Sequence, residues 1–305
     1  MSGGHAGKQR GLNMRTVKKS YPALRDDIAD LVTRRPVPGL GLDRLGAFLF
    51  LNHHGPQTYP ASNNGLPFGP HPHRGFETVT VILEGSLAHY DSGGHESVID
   101  AGGVQWMTAG SGLIHAELSP ESFKQQGGDL EILQLWINLP ASLKMTKPRY
   151  SGVQREKIPH LPLADNAGVI ELIAGEFQGT EGPIVPLTGV FMSMVRINSG
   201  ATVTLPAPQE RDIFLYVVSG SISISGGSVQ KWHLVELNDD ADQLQITADE
   251  PAVLLFGHAQ PINEPVVARG PFVMNSIAEI HQAYDDYRNG AFNGNGKLGT
   301  LERDA

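Results

Sequence analysis

Two short steps along the chain carry side chains that can hold a metal: His71-Pro72-His73 and, further on, His115-Ala116-Glu117. In an extended strand side chains alternate between faces with period two, so each step puts both of its metal-capable groups on one side. If the two segments neighbour one another, His71, His73, His115 and Glu117 converge. Three neutral imidazoles and one carboxylate leave a bound divalent cation with a net charge of about +1 and with coordination positions still open. That donor set is borderline in softness. It suits one Fe2+, with Mn2+, Ni2+, Co2+ or Zn2+ as competitors, and the absence of cysteine from the sequence removes thiolate as a means of choosing among them.

Glu77 lies just beyond His73, where a strand begins. It can be read as a fifth ligand, as an acceptor holding a histidine N–H, or as the mate of Arg74. A non-ligand role is favoured, because Glu117 already supplies the carboxylate. As proton acceptor in a reaction, Glu117 is the first candidate and Glu77 the second. His89 and His95 read as solvent-facing or supporting groups, and His53 and His54, being adjacent, cannot share a face of a strand.

The elements that must position these groups are short strands. Pro72 lacks an N–H and resists a central ladder, so the His71 step belongs at the start of a strand or on a rigid loop. Gly110 and Gly112 allow a tight turn into the His115 step. Strands are expected over residues 48–52, 77–83, 86–91, 96–100, 104–108, 114–118 and 130–137, separated by Gly85, Gly93-Gly94 and Gly102-Gly103. A second block repeats the grammar over 170–175, 191–197, 201–205, 213–218, 221–225, 233–237, 243–247 and 252–256. No amphipathic helices intervene within either block, which argues for an all-β sandwich or barrel in each half. The expected division is an extension over 1–34, a metal-binding domain over 35–150, a linker over 151–165, a second domain over 166–290 and a flexible tail over 291–305. Apolar spacing suggests short helices at 23–32 and 276–288.

The 305 residues carry 23 basic and 32 acidic side chains, a formal charge of −9, which speaks against a nonspecific nucleic-acid surface. Lys8, Arg10, Arg15, Lys18, Lys19 and Arg25 all precede the first acid and read as a solvated, poorly ordered extension. The amino end has no apolar stretch of signal-peptide type, and no run is long enough to span a bilayer. No membrane association is expected, and a cytoplasmic protein is the expectation.

Several longer strings carry a specific likeness. His71-Pro72-His73-Arg74-Gly75-Phe76-Glu77-Thr78, the run Gln105-Trp106-Met107-Thr108-Ala109-Gly110 and Gly112-Leu113-Ile114-His115-Ala116-Glu117 resemble the signature of the pirin family, within the cupin superfamily. Glu264-Pro265-Val266-Val267 and Gly270-Pro271-Phe272-Val273-Met274-Asn275 are similar to that family's carboxy-terminal segment. The likeness covers Arg35 to about Arg288. It implies a bicupin: two antiparallel β-barrel domains of jelly-roll, or double-stranded β-helix, type with a short C-terminal helix. Carried residue by residue, it puts the metal ligands on His71, His73, His115 and Glu117 and leaves Glu77 outside the set. The second half has no comparable set: His233 and His258 stand alone, neither in a His-x-His step, and that half is expected to hold no metal. Some pirin-like proteins act as quercetin 2,3-dioxygenases, so the likeness implies a metal-dependent dioxygenase that cleaves a flavonol with O2 and releases CO. Other members are associated with transcriptional regulation and redox sensing. The alternative is therefore a non-enzymatic, metal-dependent or redox-sensing regulator that acts through a protein partner.

Overall fold

The computed structural model describes residues 13–294 and Leu298. Each half of the chain is a pair of facing antiparallel sheets, one of seven strands and one of four. In the first half the large sheet runs Arg149–Val153, Val104–Thr108, Phe76–Glu84, Gly128–Asn138, Phe48–Tyr59, Thr33–Val37 and Leu24–Arg25. Its small sheet runs Phe68–His73, Leu113–Leu118, Ser86–Asp91 and Glu96–Asp100. The second half repeats the plan, with His233–Leu237, Asp212–Ser219, Ala252–Ala259 and Phe191–Ile197 at the centre of its large sheet. These are jelly rolls, built of two open sheets and not of one closed barrel.

The two large sheets stack back to back. Phe48, Leu51, Val79, Val81, Trp106, Leu133 and Leu135 from the first half form one core with Met192, Met194, Phe214, Tyr216, Leu234 and Leu255 from the second. Strands buried on both faces explain near-continuous apolar runs such as ILQLWIN and IFLYVV, which an alternating pattern would not produce. The second half also fills its interior with apolar side chains, among them Phe191, Val195, Leu215, Leu254 and Phe256. The first half does so only at one end, around Leu31, Ile82, Leu130 and Ile132. At its other end the interior is polar.

The amino-terminal segment departs from the expected extension and helix. Residues 23–32 form no helix; Val17–Pro22 is a strand that pairs with His233–Leu237, so part of the expected extension completes the sheet of the second half. Leu24–Arg25 pairs with Thr33–Val37, and Ile28 and Leu31 exchange backbone hydrogen bonds at the turn between them. The apolar spacing misled because only part of it is buried: Leu31 is fully enclosed, whereas Leu24 is 51% exposed. The basic arm is likewise not all solvated. Arg15, 2% exposed, donates to the carbonyls of Ala207, Asn238 and Pro208 and to Asp239. Residues 1–12, including Lys8 and Arg10, lie outside the described residues.

The C-terminal helix forms as expected, over Ile277–Arg288, with Ser276 accepting from Glu279 N and the Glu279 carboxylate reaching back to Asn275 N. It returns to the first half. Ile280 and Ala283 pack on Ile114 and Ala116, the outer face of the His115 strand. The tail expected to be flexible is described at 291–294 and Leu298, where Phe292 is buried against Phe272 and beneath the Arg74 guanidinium. Its remaining residues lie outside the described part.

Candidate metal centre

The Phe68–His73 strand is the edge of its sheet, which accommodates Pro72 without a broken ladder. It pairs antiparallel with Leu113–Leu118, placing His115 opposite His71 and Leu113 opposite His73. The three imidazoles form a triangle with ring centroids 4.3 Å (His71–His115), 4.8 Å (His71–His73) and 4.9 Å (His73–His115) apart. One ligand atom from each lies within 4.8 Å of the others, and among the described residues no other such group of three comes together.

Hydrogen bonds fix which nitrogen each ring offers. His71 Nδ1 lies 2.8 Å from Gly69 O and His73 Nδ1 lies 3.2 Å from Pro271 O. A carbonyl only accepts, so both Nδ1 atoms carry the proton and both Nε2 atoms carry a lone pair. His115 is 1% exposed, yet neither ring nitrogen has a protein partner. Burial, with the neighbouring His71, pushes His73 down to about 3, and burial followed by His71 and His73 holds His115 well below the ordinary histidine value. Neutral rings with free lone pairs are the form that binds a cation. A divalent metal therefore fits these residues.

Glu117 follows His115 past a register shift in the pairing with the His71 strand, and lies opposite His89 on the other side. It is buried but is not among the groups within 4.8 Å. Its oxygens accept from Thr80 Oγ1 at 2.9 Å and Gln134 Nε2 at 2.5 Å. Each carboxylate oxygen has a second lone pair, which leaves capacity for an ion or a substrate proton.

Glu77 stands elsewhere. Thr80, on the same strand, reaches Glu117 inside the jelly roll, and odd-numbered Val79 and Val81 face the second half. Glu77 has their parity, is fully buried, accepts from Thr108 Oγ1 at 2.6 Å and has the Trp106 indole beside it as a second group that favours its charged form. Burial pushes its carboxyl up despite that hydrogen bond. The structure brings the three histidines together and does not bring Glu77 to them.

Other neighbours were not legible as such. His89 is buried 5.6 Å, ring to ring, from His115, stacks on Tyr150 at 3.9 Å and bonds Asp91, which in turn holds His95. Trp136 meets His73 edge-on at 5.2 Å and stacks on Phe50. Thr80, Gln134 and Trp136 come from strand interiors, and their only signal was the period-two parity that aims them at the small sheet. His53 and His54 split as adjacent residues must: His53 bonds Tyr216 of the second half and His54 bonds Thr33. In the second half His258 lies flat on Phe191 and accepts from Arg211, while His233 is bonded to Lys231 O.

Residues 31–137 match the pirin family model, and residues 192–293 match that of the pirin C-terminal cupin domain. The chain belongs to the pirin family. It is 40% identical over 230 residues to Pirin-1 of Arabidopsis thaliana, covering 73% of this chain and 77% of that one. A Pseudomonas aeruginosa protein named "Putative quercetin 2,3-dioxygenase" is 38% identical over 248 residues, 81% of this chain and 87% of that one. The crystal structure of a quercetin 2,3-dioxygenase from Acinetobacter baumannii superposes with a TM-score of 0.86 at 30% identity, covering 93% of this chain and all of that chain. The pirin architecture of two jelly rolls back to back is thus the architecture of this chain.

Proposed function

We propose that this pirin is a metal-dependent dioxygenase of the quercetin 2,3-dioxygenase type, with Fe2+ held by His71, His73, His115 and Glu117 and a flavonol and O2 as substrates. The observation that carries the reading is the histidine triangle, half-buried at His71 and buried at His73 and His115, in which His71 and His73 present Nε2 lone pairs and His115 has no protein partner. Its likeness to proteins bearing the quercetin dioxygenase name supports the choice of substrate.

When bound, the ion would supply Lewis-acid polarisation of the substrate's 3-hydroxyl oxygen. The chain supplies the rest. Glu117, anchored by Thr80 and Gln134, would accept the hydroxyl proton on a remaining lone pair. Trp136 and Phe50, stacked at 4.6 Å, give an aromatic wall beside His73 for a planar substrate. Over the whole reaction both atoms of O2 enter the organic product, a phenolic ester, and one ring carbon leaves with its oxygen as CO.

The test is anaerobic addition of quercetin to Fe2+-loaded protein, followed by air. The flavonol absorption should shift on binding, and CO should then appear in proportion to substrate lost. Loss of substrate without CO would refute the dioxygenase, since flavonols autoxidise. No turnover together with capture of a partner that depends on metal state would favour the regulatory reading.

A further inference from the structure

The carbonyl that orients His73 belongs to the other end of the chain. After the last long strand of the second half, the chain crosses back to the first half as a strap from Glu264 to Asn275. Arg74 N donates to Pro271 O and Val273 N donates to Arg74 O, so the strap runs as a short extra strand beside the residue following His73. Val266 and Val273 pack with Leu49, Phe50, Phe76 and Trp136, the aromatic surroundings of the same imidazole.

One side chain ties this arrangement together. Lys144, 1% exposed, donates from Nζ to Gly75 O at 2.8 Å, Val273 O at 3.0 Å and Asn138 Oδ1 at 2.7 Å. Gly75 is two residues past His73, and Val273 two past Pro271. Lys144 thus clamps the ligand strand and the strap at equal offsets from the His73–Pro271 hydrogen bond. The fit is close: a Cβ on Gly75, whose φ is +89°, would stand 2.0 Å from Val273 O. The segment carrying Lys144 is tied to the strap again, since Ala141 N donates to Glu264, which also takes Asn275 Nδ2. A buried ammonium surrounded by uncharged acceptors is costly unless fully bonded. Burial pushes Lys144 down to about 8, so at neutral pH it keeps the three N–H donors that its three acceptors use.

We propose that Lys144 is a positioning residue for the metal: by clamping the strap it holds the Pro271 carbonyl on His73 Nδ1, so that His73 presents Nε2 to the ion. This rests on the histidine triangle being a metal site. The second jelly roll, through its strap, then completes a centre whose ligands all lie in the first.

The test uses full-length protein titrated with Co2+, whose visible spectrum reports ligand geometry, without reference to turnover. Lys144→Met should weaken Co2+ binding about 10- to 100-fold, the usual effect of removing support outside the ligand set, and should shift the Co2+ bands. Arg15→Met, which removes an equally buried cation from the second half, should lower stability and leave affinity and spectrum as in the wild type. A folded Lys144→Met protein with unchanged affinity and bands overturns the proposal, as does an equal loss in Arg15→Met. If Lys144→Met does not fold, Asn138→Ser decides: a weaker change of the same sign supports the clamp, and wild-type behaviour overturns it. Wild-type protein that takes up no Co2+ would instead refute the metal site, and this inference with it.

Discussion

A buried ring nitrogen without a partner costs about 1–3 kcal/mol, and His115 has two of them, enclosed among side chains that leave it 1% exposed. An ion on one nitrogen removes part of that cost and makes the triangle intelligible as a site and not as a packing accident. Replacing His71 and His115 together by Ala is expected to abolish stoichiometric metal binding, read by elemental analysis of anaerobically purified protein, and to reduce CO release to background. Retention of one ion per chain would contradict the assignment. Glu77 gives the opposite expectation. It faces the second half, and burial raises its carboxyl against the opposing effect of Thr108, Trp106 and Arg149, so the charged form is what the fold disfavours. Glu77→Gln mimics the protonated group. At pH 7 it should melt no lower than the wild type, with metal content unchanged, and a fall of more than about 2 °C, roughly 1 kcal/mol for a chain this size, would refute the argument.

At the scale of elements, the strand Val17–Pro22 is the part that sequence reading missed and stability should notice. It covers the edge of His233–Leu237, with Tyr21 Oη donating to Glu236 and Arg15 bonded to four acceptors in the second half. Removing residues 1–22 exposes an apolar edge strand and strands those acceptors. The truncated protein is expected to melt at least about 4 °C lower and to aggregate; equal thermal stability would show the strand to be dispensable. The reason it was illegible is physical. Lys18, Lys19 and Ser20 alternate with nothing apolar, because an edge strand with one solvated face buries little except Tyr21. The central strands were readable because glycine turns bracket them, and the ligand steps because period two makes His-x-His a statement about one face. The His73 acceptor was not readable at all: a backbone carbonyl some two hundred residues away leaves no trace in side-chain type.

At the scale of the whole molecule, titration separates native from unfolded chain. Burial pushes both His54 and His73 down to about 3 and keeps His115 well below its ordinary value, whereas in the unfolded chain each titrates near 6.5. Between those values the unfolded chain holds protons that the native protein refuses. Unfolding free energy therefore rises with pH across that window and falls as pH drops from about 6.5 toward 3, by about 1.4 kcal/mol per pH unit for each histidine fully inside it. Glu77 and Asp212, raised by burial, bind their protons more tightly when folded and work in the opposite direction above the ordinary carboxylate range, but His258, also pushed down to about 3, makes four histidines against those two groups. Metal-free protein should accordingly lose urea resistance steadily from pH 6.5 to 5, while added metal, binding only the folded form, should raise the midpoint at pH 7. His54 isolates the histidine contribution, because it bonds Thr33 and lies outside the triangle. His54→Gln should flatten the pH slope of metal-free protein by about one histidine's worth. A slope that His54→Gln leaves untouched, or stability that grows toward pH 5, would show that these buried rings do not govern the acid limit of the fold.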